Sequence, residues 1–340
     1  MNKLTLLIVC LLFVSKVQAQ DFHFSQFYSG PLNLNPALTG SSELTRMGIN
    51  YRKQWPGLDF DFNGYSAFID HYSFDLQSGI GLVVNSYNEQ NMSLNTTEIG
   101  ALYAYNLKLS NFASLRMGTQ ITYARRSGNL ENLIYGDQID VFNRTVNSNS
   151  IDMLEELDPF GYLDLGVGVL YANPDFWIGI SGHHLNNPRM LNSTSSEFEF
   201  LPIKYGIQAG WEKELGSAGY WSNDRERYFS LMANFKKQGI FSQLDLSAQT
   251  KYDSFIFGLG FRGLMTASSE LKNYESLIGI FGVSLQNGLI LGYSYDWMIS
   301  AVGANTKGSH EFSLRYQFLA GNQKRRGQRD RILKCFDYKF

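Results

Sequence analysis

From Tyr162 to Tyr171 the chain alternates. Leu163, Leu165, Val167, Val169 and Tyr171 share one face, and Tyr162, Asp164, Gly166 and Gly168 share the other. The same period of two runs through Leu115, Met117, Ile121 and Tyr123 against Ser114, Arg116, Gly118, Gln120 and Thr122. It returns in Ile203, Tyr205, Ile207, Ala209 and Trp211 against Lys204, Gly206, Gln208, Gly210 and Glu212. Near the end, Phe312, Leu314, Tyr316 and Phe318 oppose Glu311, Ser313, Arg315 and Gln317. The alternation predicts fourteen strands: 44–54, 59–72, 78–88, 92–110, 112–126, 160–172, 175–186, 201–215, 225–236, 239–251, 254–263, 273–285, 288–298 and 308–319. Connections at 110–111, 173–174, 252–253 and 287–288 are very short, whereas 127–159 is long. Short turns at one end and long loops at the other are the signature of a transmembrane antiparallel β-barrel, all-β, of about fourteen strands. Two connections depart from it: 216–224 is long, and the ninth and tenth strands follow tightly. A β-sandwich also alternates, but its outward face carries charge. Here the second face is rich in Gly, Ser and Gln, which suits a wet lumen. Aromatics such as Tyr51, Trp55, Tyr295 and Trp297 gather at strand ends, as interfacial girdles do.

Composition sharpens this picture. Of 340 residues, 44% are hydrophobic and only 18% charged, which excludes a disordered, charge-rich chain. The formal charge of −2 offers no basic face, so nucleic acid is excluded as a partner. Residues 1–19 combine Lys3, the apolar run Leu4–Val14 and small Val17 and Ala19, which predicts a cleaved secretory signal. The run is too short for a membrane-spanning helix. Cleavage after Ala19 removes Lys3, Lys16 and Cys10, leaving a formal charge of −4 and Cys335 as the single thiol. Residues 20–43 mix aromatics, prolines and turn residues and read as an ordered N-terminal arm, with the barrel interior as one place for it to pack. The barrel takes 44–319. Residues 320–340 form a basic periplasmic tail, whose charge from Gly321 to Phe340 is +5, seven basic groups against Asp330 and Asp337.

Candidate chemistry is sparse. His23, His71, His183, His184 and His310 lack metal-ligand spacing, so neither metal nor cofactor is expected. Adjacent His183 and His184 read as an interfacial pair on opposite faces of a strand end. Gly258 to Gly263 spells G-L-G-F-R-G, but the dinucleotide fingerprint needs a βαβ unit that is missing around it. No G-x-S-x-G elbow is present, and no nucleophile has a partnered base, so an enzyme is not expected. The polar residues expected on the lumen face are Arg116, Asp164, Lys204, Asp245, Arg262, Asp296, Glu311 and Arg315. Their mixed signs suit pairing across the interior, or to a plug segment, better than an ion-selective pore.

Six segments carry a resemblance. F-S-Q-F-Y (Phe24–Tyr28), P-L-N-L-N-P-A-L-T-G (Pro31–Gly40), Y-R-K-Q-W-P (Tyr51–Pro56), G-D-Q-I-D (Gly136–Asp140), G-Y-S-Y-D (Gly292–Asp296) and G-S-H-E-F-S-L-R-Y (Gly308–Tyr316) span almost the whole mature chain. Together they resemble the PorP/SprF family of outer-membrane proteins, associated with type IX secretion and gliding in Bacteroidota. The resemblance implies a multi-pass barrel in outer-membrane lipid. It also implies a non-enzymatic role in export or surface anchoring of an adhesin-like secreted protein, with periplasmic type IX components as further partners. Phe24, Phe27, Tyr28 and Pro36 of the arm, and Arg325, Arg326, Arg329 and Arg331 of the tail, are the expected partner-binding residues. The basic extension beyond Phe318 departs from the family pattern by moving the chain end off the last strand. A different reading, an outer-membrane solute channel resembling fatty-acid transporters, requires an apolar lumen pocket that the polar inner faces do not offer.

Overall fold

The computed structural model describes residues 21–58, 62–89, 94–128, 138–140, 145–146, 157–191, 198–215, 227–264, 274–285, 287–300 and 303–318. The expected signal segment and the tail, with Arg325, Arg326, Arg329 and Arg331, lie outside them, as do Gly136 and Asp137.

Fourteen antiparallel strands close into a barrel. They are β1 (Thr45–Gln54), β2 (Phe62–Ser73), β3 (Ser78–Glu89), β4 (Leu94–Lys108), β5 (Ser114–Gly128), β6 (Leu157–Ala172) and β7 (Phe176–His183). The second half contains β8 (Lys204–Glu214), β9 (Arg227–Gln238), β10 (Phe241–Tyr252), β11 (Phe255–Leu264), β12 (Tyr274–Ser284), β13 (Leu289–Met298) and β14 (Ser309–Phe318). Each strand pairs with its sequence neighbours, and β1 closes on β14 from Thr45↔Phe318 to Gln54↔Ser309. Closure leaves no unpaired backbone edge, the condition for strands to cross a lipid phase. Two short ladders, Ile139–Asp140 with Thr145–Val146 and Arg189–Leu191 with Phe198–Phe200, decorate the long connections after β5 and β7.

The outer face follows the period of two. Leu163, Leu165, Val167 and Val169 on β6 are exposed, while Asp164 between them is 7% exposed. Exposure here means exposure to lipid. Aromatic pairs cap this belt, with Tyr295 against Trp297 and Tyr293 against Phe312, each at 4.9 Å, and Tyr51 against Tyr65 at 4.8 Å. No helix among the described residues is long and apolar enough to cross a membrane. The membrane is crossed by strands. G-L-G-F-R-G lies within β11, where Gly258 and Gly260 stand opposite Ile280 and Ile278 of β12.

β1 begins and β14 ends at the end of the barrel where β2–β3, β4–β5 and β6–β7 are joined by tight turns. That is the turn end. The opposite end, which bears the long connections, is the loop end. Fourteen strands enclose more room than their own side chains fill. The arm occupies that room.

Candidate functional site

The arm enters the lumen from β1 at the turn end and climbs towards the loop end. Its root is α1 (Pro31–Leu34) followed by a 3-10 turn, Pro36–Leu38. Proline starts both, where its fixed φ helps and its missing N–H costs nothing. Between them Asn35 is extended, and its side chain accepts the Ala37 N–H at 2.9 Å. Its amide then reaches the wall, donating to Gln208 Oε1 at 3.0 Å and to the Ile180 carbonyl at 3.2 Å.

Apolar contacts fix the root. Ala37 and Leu38 pack with Leu170, Ala172 and Trp177, and Leu32 packs with Phe68, Val83 and Leu102. The backbone comes so close to the wall that a Cβ at Gly118 would collide with the Pro36–Ala37 peptide, and one at Gly79 with the Thr39 carbonyl. Only glycine leaves that space. Charge completes the attachment. Arg46 holds Asp70 through two bonds, Nη2 to Oδ2 at 2.7 Å and Nε to Oδ1 at 3.0 Å, and the Gly40 N–H donates to Asp70 Oδ2 at 2.6 Å. Arg116 donates to the Ala37 and Thr39 carbonyls at 3.1 and 2.6 Å. Both ions of the Arg46–Asp70 pair are fully buried. Burial pushes the neighbouring Glu43 carboxyl up to about 7, against the pull of Arg116 and Lys108.

Higher in the lumen, Ser25 is surrounded by charge. Its N–H donates to Glu311 Oε2 at 2.6 Å, and the next N–H, of Gln26, donates to Glu311 Oε1 at 2.9 Å. The Ser25 hydroxyl donates to Asp296 Oδ2 at 2.6 Å and accepts from Arg262 at 3.1 Å and from Arg52. Arg52 binds Asp296 at 2.9 Å, and Arg262 binds Asp245 at 2.8 Å and Asp296 at 3.3 Å. Five strands (β1, β10, β11, β13 and β14) therefore contribute one ion network around two arm residues. Gln26 adds bonds to Ser294 at 3.2 Å and Ser313 at 2.7 Å.

The tip lies against the opposite wall. Asp21 Oδ2 is 2.5 Å from Lys204 Nζ and 2.9 Å from His184 Nε2, and Asp21 Oδ1 accepts from Gln238 at 3.0 Å. His184 Nδ1 stands 3.0 Å from Asp164. Burial works to raise the Asp21 carboxyl, but Lys204 and His184 outweigh it and hold the group well below the usual carboxylate range. For His184, burial opposes protonation, yet Asp21 and Asp164 raise it to about 9. The expectation of two histidines on opposite faces is corrected here. β7 ends at His183, and His184 adopts φ +58°, which turns it inward so that both rings are buried in the lumen.

The structure puts Arg116, Lys204, Asp245, Arg262, Asp296 and Glu311 on the lumen side, in contact with the arm or with one another, and Asp164 beside His184. Arg315 is buried on the same face of β14. Phe24, Phe27 and Pro36 are buried and Tyr28 is half-buried, so the lumen wall covers the arm residues expected to meet a partner. Arg46, Arg52, Asp70, Ser25 and Gln26 were missed. The β1 pattern held the signal, because outward Met47, Ile49 and Tyr51 send Arg46, Asn50 and Arg52 inward.

Between the arm and the walls, towards the loop end, lies a cavity of about 510 Å³. It is bounded by arm residues, Phe22 and His23 among them, and by residues of β2 to β10. Among the described residues, no three His, Cys, Asp or Glu side chains cluster as metal ligands would.

A closed barrel with an apolar outer belt and a lumen filled by its own arm is an outer-membrane barrel. Solved outer-membrane structures share the general shape at low similarity. The CymD monoaromatic hydrocarbon channel has a TM-score of 0.49 at 11% identity, over 90% of this chain and 96% of that one. The outer-membrane protein Omp33 of Acinetobacter baumannii has a TM-score of 0.42 at 7% identity, over 82% and 100%. The KdgM porin has 0.32 at 10%, over 80% and 99%. Scores at this level carry no functional argument. No curated protein matches the chain. The sequence model described as type IX secretion system membrane protein PorP/SprF matches residues 16–316, and the chain belongs to that family.

Proposed function

We propose that this barrel assists the export or surface anchoring of a partner protein, such as an adhesin, by the type IX route, and does so without catalysis. Membership of the type IX family supports a place in the secretion machinery. The observation that carries the finer reading is the occupied lumen: the arm is bonded to the wall at the heights of Asp70, Glu311 and Lys204. A client polypeptide has no free path through such a barrel. Contact with partners therefore falls on its two ends, with the loop end meeting the exported protein and the basic tail, through Arg325, Arg326, Arg329 and Arg331, meeting periplasmic components.

Affinity purification of the tagged protein from outer membranes, with mass spectrometry of the co-purifying chains, tests this reading. Recovery of a large secreted protein with a C-terminal sorting domain supports it. Recovery of periplasmic machinery alone moves the protein to the core apparatus, and deletion of 321–340 should then abolish that recovery. A solute channel is the second reading, favoured by the 510 Å³ cavity. Solute flux into vesicles carrying the intact protein, at the rate of an open porin, would select it.

A further inference from the structure

Where the first and last strands meet, the inner wall is polar along its length. Across the β1–β14 seam Arg46 stands opposite Gln317, Asn50 opposite Ser313 and Arg52 opposite Glu311. All but Ser313 are buried. Other neighbouring strands pair their own charges, as Arg46 of β1 does with Asp70 of β2 at 2.7 Å and Arg262 of β11 with Asp245 of β10 at 2.8 Å. On the seam the direct Arg52–Glu311 contact is 3.5 Å long, and shorter bonds run through the arm. Glu311 of β14 accepts the Ser25 and Gln26 N–H groups at 2.6 and 2.9 Å, and the Ser25 hydroxyl accepts from Arg52 of β1. Lower down, Gln26 Oε1 accepts from Ser313 at 2.7 Å, and a Cβ at Gly30 would meet Asn50 Nδ2 at 3.2 Å. The Leu38 carbonyl accepts from Arg46 at 3.2 Å. The arm therefore follows the seam from Arg46 to Arg52 and bonds to the strand on each side of it.

Distance along the chain sets an order. Ser25 is 27 positions from Arg52 but 286 from Glu311. The shorter loop costs less chain entropy to close, so the arm seats on β1 before β14 arrives. Glu311 is 0% exposed in the closed barrel. Closing the seam without the arm would bury that carboxylate short of its two N–H donors, with Arg52 standing 3.5 Å away. A buried carboxylate left short of donors opposes closure, and the arm removes that cost.

We infer that the arm is the clamp that closes the barrel: it seats on β1 first and then captures β14 through Ser25 and Gln26. This role lies in assembly and holds whichever protein the barrel serves. Crosslinking during refolding of the mature chain into lipid vesicles tests it, in a Cys335→Ser background with a lipid-soluble oxidant. Ile49→Cys with Leu314→Cys reports the seam, because the two stand opposite each other on its exposed outer face. Ile99→Cys with Tyr123→Cys reports the β4–β5 hairpin in the same way. Ser25→Pro with Gln26→Leu removes one N–H donor to Glu311, the hydroxyl that meets Arg52 and the amide that meets Ser313. The expected result is crosslinking at least tenfold slower at the seam, with the hairpin rate unchanged within twofold. Should the double variant leave the hairpin pair unlinked as well, Gln26→Leu alone takes its place, with an expected threefold slowing confined to the seam. A seam that links at the wild-type rate, or equal slowing of both pairs in Gln26→Leu, would overturn the inference.

Discussion

The root and the tip of the arm are held by different physics. At the root, Leu32, Ala37 and Leu38 are fully buried among apolar wall residues, and the Arg46–Asp70 ion pair is sealed from solvent. Two glycines let backbone press on backbone there. At the tip, Asp21 is 26% exposed and is held by Lys204, which is 23% exposed, and by His184. Packing and an ion pair closed to solvent fix the root with little dependence on salt, whereas the tip depends on charges that solvent can screen. The arm is therefore built like a hinged strap, with a permanent base and a conditional end.

The largest effect should come from attacking the base. Arg46→Leu leaves Asp70 buried without its counter-ion and should cost about 3–5 kcal/mol, read as a shift in the urea midpoint of the barrel in lipid vesicles. Gly118→Val drives a side chain into the Pro36–Ala37 peptide and should cost about 1–3 kcal/mol by the same assay, with the root displaced. Smaller and more local is Arg52→Leu, which frees one side of the Ser25 site while Arg262 keeps the other. Protease nicking between Ser25 and Gly30 should rise, and the urea midpoint should fall by less than for Arg46→Leu, because Asp296 keeps Arg262 as a partner.

The tip should respond to pH. His184 titrates near 6.5 when unfolded and near 9 in place, so its contribution is complete below 6.5 and is lost as pH rises through 9. Asp21 is shifted down, so its contribution holds above about 3.8 and fails only in stronger acid. The charged neighbours facing this pair are Asp164, Lys204 and Glu98. A spin label at Phe22→Cys, in a Cys335→Ser background, should be immobile at pH 6 and gain mobility towards pH 9.5. Equal mobility at both values would place the tip under the same control as the root. Lys204→Met should have the smallest effect, about 1 kcal/mol or less, because the pair it breaks is partly solvated.

The outer wall was legible because it is written locally. Each lipid-facing residue on β6 is two positions from the next, and all fourteen strands were located from that repeat. The inner wall was legible only in its sign, polar rather than apolar. What Glu311 does depends on Ser25, 286 positions away, and what Lys204 does depends on Asp21, 183 away. No period connects such pairs. His184 shows a different limit, since a single left-handed residue after β7 reverses the face that alternation assigns.

The position of the arm is tested most directly by the reactivity of one cysteine. In a Cys335→Ser background, Ser25→Cys and Ile240→Cys are exposed to a water-soluble maleimide in intact outer-membrane vesicles. Ser25 is 3% exposed within the ion network, whereas Ile240, at the tight β9–β10 connection, is 68% exposed. The expected result is rapid labelling at position 240 and none at position 25 until the barrel is denatured. Equal labelling of both in the folded barrel would contradict an arm held inside the lumen.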